Sequence, residues 1–149
     1  MIPASKGTYI LALELRDEER IVVGRAGTFS FEAGTYLYVG SAHGPGGLSA
    51  RLARHARRGK TRRWHVDYLR ERAQLVGAFC RAGGRELECE WATWLGSRST
   101  RPHDGIGCSD CRCSAHLFSV HTVAAFERLA RDIEDELAAE LVIVGNLQP

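Results

Sequence analysis

The stretch GTYLYVGSAHGPGGLSARLARH, residues 34–55, joins three patterns that together decide the fold. It opens with a run from Thr35 to Val39 that is rich in aromatic and β-branched residues, which favours a β-strand. The glycines and the proline between Gly40 and Gly47 cannot continue a strand and predict a loop. From Leu48 the apolar residues recur with helical spacing. The stretch therefore predicts a strand, a loop and a helix in succession.

The predicted helix is amphipathic and basic. Its apolar side is formed by Leu48, Leu52 and Ala56, and its basic side by Arg51, Arg54, His55 and Arg58. Gly59 is suited to end the helix, because glycine readily adopts the left-handed conformation that follows a last helical turn. The basic block from Arg51 to Arg72 indicates a surface that attracts phosphates, whereas a solvated helix face is the alternative interpretation.

Two further β-prone runs precede this stretch. Residues 8–15, TYILALEL, place Tyr9, Leu11, Leu13 and Leu15 on one side of an extended strand. The run Ile21 to Val23 follows a polar turn, and the two runs are predicted to form a hairpin. Residues 25–33, in which Phe29 and Phe31 alternate, allow no clear assignment. With the strand from Thr35 to Val39, three antiparallel strands are expected.

The second half of the chain predicts mainly helices. Trp64 to Arg72 indicates a short helix, with a strand as the alternative, and Leu75 to Phe79 indicates a further strand. Glu86 to Leu95 is predicted to be helical. A last helix is predicted to pack on the core through Val123, Phe126, Leu129, Ile133 and Leu137. We expect an α/β fold with a small three-stranded antiparallel sheet flanked by helices, an extra strand and a C-terminal helix.

Length and composition predict one domain, residues 1–149, because the chain has 149 residues of which 44% are hydrophobic. The longest apolar runs are far shorter than the roughly 20 residues that a membrane span requires. We therefore expect a soluble chain with no membrane partner. The N-terminal residues resemble no export signal, which favours a cytoplasmic location. Five cysteines, three of them clustered, favour reduced thiols over a disulfide framework.

Two short motifs resemble the paired motifs of the GIY-YIG nuclease superfamily. They are Gly7-Thr-Tyr9 on the first strand and Tyr38-Val-Gly40 on the third. After the second motif that superfamily has a loop and a helix with an essential arginine, which Arg51 matches, with His55 one turn later. The order and the approximate spacing of these residues agree with the superfamily.

Longer segments resemble, more specifically, a branch of that superfamily whose members are sometimes fused to endonuclease III-type DNA glycosylases. The segments are GTYLYVGSA, RWHVDYL, ECEWA and CSDCRCSAHLF, and they span roughly residues 7–118. The resemblance implies a GIY-YIG-like fold. It also implies a metal-dependent endonuclease that hydrolyses phosphodiester bonds in DNA, with a role in DNA repair.

The chemistry of hydrolysis suits the residues of these motifs. Tyr9 has an ordinary pKa of about 10 and is a poor base unless a cation such as Arg51 favours its phenolate. The planar guanidinium of Arg51 also suits bidentate contact with a phosphate. Tyr38, beside Tyr9 in the sheet, would orient the water or the phosphate. His55 would reach the same phosphate as Arg51, and packing in the core is the alternative for both tyrosines.

His65 is a further catalytic candidate. It lies in the sequence Trp-His-Val-Asp, where Asp67 or a backbone carbonyl would satisfy it in a purely structural role. The catalytic candidates are therefore Tyr9, Tyr38, Arg51, His55 and His65.

A single Mg²⁺ or Mn²⁺ held by one glutamate is implied by the resemblance. Glu88 and Glu90 both lie on a predicted helix, and residues two apart point in different directions. Only one of them can therefore face the tyrosines. We favour Glu88, because Trp91 and Ala92 at its third and fourth following positions resemble the buried residues that follow the superfamily's glutamate. Glu90 is the alternative metal ligand.

A cluster of thiols and an imidazole near residue 110 predicts either a zinc site or a compact loop. The potential zinc ligands are Cys108, Cys111, Cys113 and His116, with Cys89 as a distant partner. In the alternative, the thiols are small buried hydrophobes while Asp110 and His116 hydrogen-bond to the backbone. A zinc-dependent interaction module would follow from the first interpretation.

Nucleic acid is the partner that the basic block predicts, and the resemblance favours DNA over RNA. The backbone contacts are assigned to Arg54, Arg57, Arg58, Arg62 and Arg63. Such contacts carry no base information. The alternative function is a catalytically inactive nucleic-acid-binding or repair-accessory module, since the loop from Gly40 to Gly47 is longer than in the better-known nucleases. A repair protein is the further partner expected for a domain of this size.

Overall fold

The computed structural model describes residues 2, 4–98, 100–103, 106 and 115–143. Within these residues the chain forms eight β-strands, four α-helices and a short 3-10 turn, Gly24–Ala26. The strands and helices follow one another as β1 (Gly7–Leu15), β2 (Glu19–Val23), β3 (Gly27–Phe31), β4 (Gly34–Ala42), α1 (Gly47–Ala56), α2 (His65–Arg72), β5 (Gln74–Ala82), α3 (Glu86–Gly96), β6 (Arg101–His103), β7 (Leu117–Val120), α4 (Val123–Glu136) and β8 (Glu140–Ile143).

The main sheet has six strands in the order β6-β7-β4-β1-β5-β8, and all neighbouring pairs are antiparallel. The predicted α/β class and antiparallel sheet are confirmed, but the predicted number of three strands is wrong. The extra strands are short ones at the two edges, where β6, β7 and β8 have three or four residues each. Runs of that length carry too little periodicity to be recognised from sequence.

The predicted hairpin between β1 and β2 is also wrong. A strand has two hydrogen-bonding edges, and those of β1 are occupied by β4 and β5. β2 pairs instead with β3 in a separate two-stranded sheet, in which Ile21 lies opposite Phe29. The connection passes through Gly24, whose φ of +48° favours glycine. The segment 25–33 thus contains the whole of β3.

Two apolar layers cover the two faces of the main sheet. Tyr9, Leu11 and Leu13 face one layer, which includes Leu48 and Leu52 of α1. Their neighbours Ile10 and Ala12 in β1 face the other layer, which includes residues of α3 and α4. β1 is therefore buried on both faces, as expected for a strand whose sequence is almost continuously apolar.

The two basic helices are confirmed and are tied together by one buried arginine. α1 ends at Ala56, three residues before Gly59, and α2 is a helix rather than a strand. The guanidinium of Arg70 donates hydrogen bonds to the carbonyls of His55 (2.9 Å), Ala56 (3.0 Å) and Ala73 (3.0 Å). These carbonyls lie at the C-terminal ends of α1 and α2, so Arg70 satisfies backbone groups that the helices leave unpaired.

α3 and α4 are confirmed as helices on the opposite face of the sheet. α4 packs through Leu129 and Ile133, but Val123 is 73% exposed, so its predicted place in the core is wrong. Val123 is the first residue of α4. Among the described helices, none combines the length and the apolar character needed to cross a membrane.

Candidate active site

Tyr9 and His55 form a buried pair between β1 and α1. The Tyr9 hydroxyl lies 2.8 Å from Nε2 of His55, and the two residues are 2% and 0% exposed. Tyr38 of β4 is on the same side of the sheet, with its ring centre 6.4 Å from that of His55. The structure therefore brings together three of the predicted catalytic residues under α1.

Burial controls the ionisation of these three side chains. It raises the pKa of Tyr9 well above its ordinary value, although the nearby Arg51 guanidinium acts in the opposite direction. Burial also raises the pKa of Tyr38, and the negative charge of an ionised Tyr9 would raise it further. The pKa of His55 is lowered to about 3, chiefly by burial. At neutral pH both phenols are protonated and the imidazole is uncharged.

Gly40 makes room for the Tyr9 ring. The two residues lie directly opposite each other in the pairing of β1 with β4. A Cβ atom at Gly40 would lie 2.5 Å from the Tyr9 hydroxyl oxygen and 2.6 Å from Cζ. A Cβ atom does not approach a non-bonded heavy atom that closely, so the glycine of the Tyr38-Val-Gly40 motif is required by the position of Tyr9.

Ser41 links Arg51 to Glu88. The Arg51 Nη1 atom donates a 2.8 Å hydrogen bond to the Ser41 carbonyl, and the Ser41 hydroxyl donates to Oε1 of Glu88 at 3.3 Å. α1 and α3, which carry Arg51 and Glu88, lie on opposite faces of the sheet. Their two charged side chains nevertheless converge at this one residue of β4, beside the tyrosines.

His116 lies next to the Glu88 carboxylate, which sequence reasoning did not predict. Its side chain is buried, with Nδ1 3.5 Å from Oε2 of Glu88. The predicted zinc ligands Cys108, Cys111 and Cys113 lie outside the described residues. No sequence motif signals the contact between His116 and Glu88, because it depends on the pairing of β7 with β4.

Glu88 is the described carboxylate best suited to hold a magnesium-type ion. Its side chain is 25% exposed and is oriented by Ser41, whereas Glu90 on the same helix is exposed. The described residues contain no cluster of three His, Cys, Asp or Glu side chains suited to a metal. A single oriented carboxylate fits Mg²⁺, which keeps several waters and takes one or two carboxylates together with substrate phosphates.

The indole of Trp64 is surrounded by arginines. The guanidinium carbon of Arg51 lies 4.4 Å from the ring centre, that of Arg54 lies 4.2 Å away and that of Arg63 lies 5.3 Å away. The His55 ring centre is 6.0 Å from the same indole. Trp64 therefore supports Arg51 next to the buried pair. The only sequence signal was a tryptophan preceded by arginines.

Asp67 anchors this arrangement from inside the protein. Its fully buried carboxylate accepts two hydrogen bonds from Arg54 (2.8 and 3.0 Å) and one from each backbone amide of Arg63 (2.8 Å) and Trp64 (3.0 Å). Burial by itself raises the pKa of Asp67, but these hydrogen bonds outweigh it and lower the pKa to about 2. His65 is the first residue of α2 and is half-buried beside Trp64.

The arginines predicted to contact nucleic acid fall into two groups. Arg54 is bound to Asp67, and Arg58 donates to the carbonyls of Glu71 (2.9 Å) and Ala73 (3.2 Å). These two have structural partners. Arg57, Arg62 and Arg63 are exposed, and Arg62 lies over the Tyr68 ring at 4.9 Å. The second group is better placed to meet a ligand from solvent.

A family model described as "Domain of unknown function DUF123" matches residues 8–139. The match covers every candidate residue from Tyr9 to His116. No curated protein and no solved structure matches the chain.

Proposed function

The chain belongs to the DUF123 family, and from the geometry of its site we propose that it is a metal-dependent endonuclease hydrolysing phosphodiester bonds in DNA. The observation that carries the proposal is the meeting of Arg51 and Glu88 at Ser41, beside the Tyr9 and His55 pair. A cation and a carboxylate next to paired proton-transfer groups are what phosphodiester hydrolysis needs. The resemblance of the motifs to the GIY-YIG superfamily supports the same conclusion.

Arg51 is proposed to bind the scissile phosphate. One of its nitrogens donates to the Ser41 carbonyl and its guanidinium carbon lies over the Trp64 ring at 4.4 Å, so its position is defined before substrate binds. The remaining N–H groups suit two phosphate oxygens. Charge that builds up on those oxygens during attack is then stabilised by a group that needs no rearrangement.

Tyr9 and His55 are proposed to take up the proton of the attacking water. The water oxygen bonds to phosphorus while the bond to the leaving oxygen breaks, and the leaving oxygen keeps the electron pair and takes a proton from solvent. The proton of the attacking water moves to the Tyr9 oxygen. The Tyr9 hydroxyl proton moves to Nε2 of His55 along their 2.8 Å hydrogen bond. This role requires the His55 tautomer with its proton on Nδ1. The negative charge of a bound phosphate raises the pKa of His55 and so favours the transfer.

Glu88 is proposed to hold one Mg²⁺ or Mn²⁺, with Glu90 as the weaker alternative because it is exposed on α3. When bound, the ion supplies positive charge for the phosphate and the leaving oxygen. The Ser41 hydroxyl orients Glu88 for this role, and His116 borders it. Tyr38 would position the water or the phosphate from the same side of the sheet as Tyr9.

The burial of the tyrosines favours a second candidate function, an inactive nucleic-acid-binding or repair-accessory module. Tyr9 is almost completely buried, and the pKa values of Tyr9 and Tyr38 are both raised. These features oppose an ionised phenol. A module of this kind would keep the basic surface and bind without cutting. In either function we expect the protein to act on DNA in the cytoplasm, in repair, together with a repair protein.

A gel assay separates the two candidates. Purified protein is incubated with Mg²⁺ or Mn²⁺ and single-stranded, duplex, branched or damaged DNA, with RNA as a comparison. The nuclease nicks at least one DNA substrate, and Arg51→Ala and Glu88→Gln strongly reduce nicking while the variants remain folded. Retarded migration of all substrates without any nick would favour the binding module.

A further inference from the structure

A basic cavity of about 410 Å³ lies at the turn between α1 and α2. Its lining consists of Arg54, Arg57, Lys60, Thr61, Arg62 and Arg63. Five of these six side chains carry a cation, so the cavity suits an anion. Because a run of basic residues is often a solvated surface, the partners of each cation decide whether the cavity is a site.

Several arginines of the described chain are paired with carboxylates. These pairs are Arg54 with Asp67, Arg72 with Glu19, Arg98 with Glu136 and Arg101 with Glu32. Among the described residues, no carboxylate pairs with Arg57, Arg62 or Arg63. Three of the cavity's arginines therefore keep donors that a ligand can use.

Aromatic rings orient two of these arginines. Arg62 lies 4.9 Å from the Tyr68 ring centre, and Arg63 lies 5.3 Å from that of Trp64. A guanidinium placed over a ring still presents the N–H groups at its edge, which match two phosphate oxygens. Stacking also reduces the side-chain freedom that is lost when a ligand binds. The two arginines are thus partly prearranged for an anion.

Only part of the positive charge of the cavity is neutralised from within. Asp67 is its nearest buried carboxylate, but its oxygens are taken by Arg54 and by two backbone amides. The Lys60 ammonium donates to the Arg57 carbonyl at 2.7 Å. Its pKa is lowered, chiefly by burial and also by Arg70 and Arg54, although Asp67 acts in the opposite direction. An anion in the cavity would relieve this repulsion.

Trp64 sets the distance between the cavity and the proposed scissile phosphate. Arg51 and Arg63 lie 4.4 Å and 5.3 Å from the same indole centre, which places their guanidinium carbons within about 10 Å of each other. A DNA strand advances roughly 3.4 Å per nucleotide along the helix axis. One strand can therefore contact both arginines with phosphates that are no more than about three nucleotides apart.

We propose that the cavity is an accessory phosphate subsite, in which Arg57, Arg62 and Arg63 hold a backbone phosphate within about three nucleotides of the scissile one. The inference rests on the proposed function and specifies the class of substrate for it. The ligand is a DNA strand long enough to reach both arginine sites, rather than a mononucleotide or a dinucleotide. Arg54 and Arg58 are excluded from this role because both have structural partners.

Binding without divalent metal tests the subsite separately from cleavage. The affinity of a fluorescent single-stranded oligonucleotide is measured by anisotropy over a range of salt concentrations, for wild type and for Arg62→Gln combined with Arg63→Gln. We expect the double variant to bind about 10-fold more weakly and to lose about one to two units of the slope of log K against log salt.

The matched control is Arg98→Gln. The Arg98 guanidinium also stacks on a tryptophan, 4.2 Å from Trp94, but it pairs with Glu136 on the α3 and α4 face. The control should bind as wild type does.

A single uncharged methylphosphonate, moved along the oligonucleotide, then locates the contact. It should weaken binding of the wild type at a position within about three nucleotides of the nick and should not weaken binding of the double variant further. An unchanged affinity and salt slope in the folded double variant would overturn the subsite even if the protein nicks DNA. A subsite that behaves as expected in a protein that never nicks would instead remove the proposed nuclease.

Discussion

Tyr9 and His55 are 46 residues apart in the sequence, yet their side chains share a 2.8 Å hydrogen bond at a place where His55 is fully buried and Tyr9 is 2% exposed. The burial of His55 explains why its imidazole is uncharged. Water cannot solvate a charged His55, and Arg51, Arg54 and Lys60 on the same side of the protein repel a proton on it, whereas Asp67 attracts one.

Stability should therefore depend on pH through His55. Because its pKa of about 3 in the folded protein lies below the ordinary value of 6.5, the unfolded chain binds more protons between these values. The stability that depends on an uncharged His55 is fully present above pH 6.5 and is lost as the pH falls towards 3. Between pH 7 and pH 5 the free energy of unfolding should fall by about 2 kcal/mol, measured by urea denaturation. His55→Gln should remove most of this decrease, and an equally steep decrease in that variant would contradict the assignment.

Gly40→Ala should displace the Tyr9 ring. The new methyl group would overlap the phenol, so we expect a loss of about 1–3 kcal/mol of stability and a severe loss of nicking. Gly96→Ala is the control, because a Cβ there meets Phe118 at an ordinary 3.6 Å within a helix. Denaturation curves should show no loss of stability for Gly96→Ala. Equal stability of the two variants would mean that Tyr9 does not lie over Gly40.

Arg51→Ala and Glu88→Gln should each lower the nicking rate by about 10²–10³-fold, because each removes a charge that acts on the phosphate or its metal. Glu90→Gln, two residues along the same helix, is the matched control and should leave the rate within about 2-fold of wild type. The measurement is single-turnover nicking with Mg²⁺ and with Mn²⁺. A larger effect at Glu90 than at Glu88 would reverse the assignment of the metal ligand.

Trp64→Leu should lower the nicking rate by about 10-fold, since it removes the ring on which Arg51 rests. Trp64→Phe keeps an aromatic face and should recover part of the rate.

The side-chain NMR signals of Arg51 and Arg54 provide an independent readout of the Trp64 contact, because the indole ring shifts the signals of nearby protons. Those shifts should vanish in Trp64→Leu and persist in Trp94→Leu, whose ring stacks on Arg98 instead. Unchanged arginine shifts in Trp64→Leu would refute the stacking.

Asp67→Ala should destabilise the protein by about 3–5 kcal/mol, because it leaves the Arg54 guanidinium and two backbone amides without their buried acceptor. Glu19→Gln, which breaks the exposed pair with Arg72 at 3.4 Å, should change stability by less than about 1 kcal/mol. Chemical denaturation at neutral pH compares the two. Similar losses from both changes would show that burial does not strengthen the Asp67 pair.

Sequence patterns predicted the parts of the fold that have long periodic signals. The helices α1, α3 and α4 and the strand that contains Tyr9 were identified because apolar residues recur over eight or more positions in each. The pairing of β2 with β3 was missed, since pairing depends on which strand edges are already occupied. The edge strands β6, β7 and β8 are too short to show a period.

The candidate site was only partly predictable. Tyr9, Tyr38, Arg51, His55 and Glu88 were singled out through motifs, and their proximity depends on the pairing of β1 with β4 and on helix packing. Ser41, Trp64 and Asp67 were not assigned to the site. Their roles arise from contacts with arginines at least ten residues away in the chain, which leave no spacing pattern in the sequence.

The guanidinium of Arg70 fastens the end of α1 to the end of α2 through three carbonyls. α1 carries Arg51 and His55, which are assigned to catalysis, and the turn before α2 carries Arg62 and Arg63, which are assigned to phosphate binding. Because Arg70 holds the two helices together, the distance between the phosphate subsite and the proposed scissile phosphate is fixed by the fold and does not change with the ligand. The domain would therefore cleave at a fixed distance from the phosphate that the subsite holds. A change in the cleavage position would require a change in the shape of the DNA.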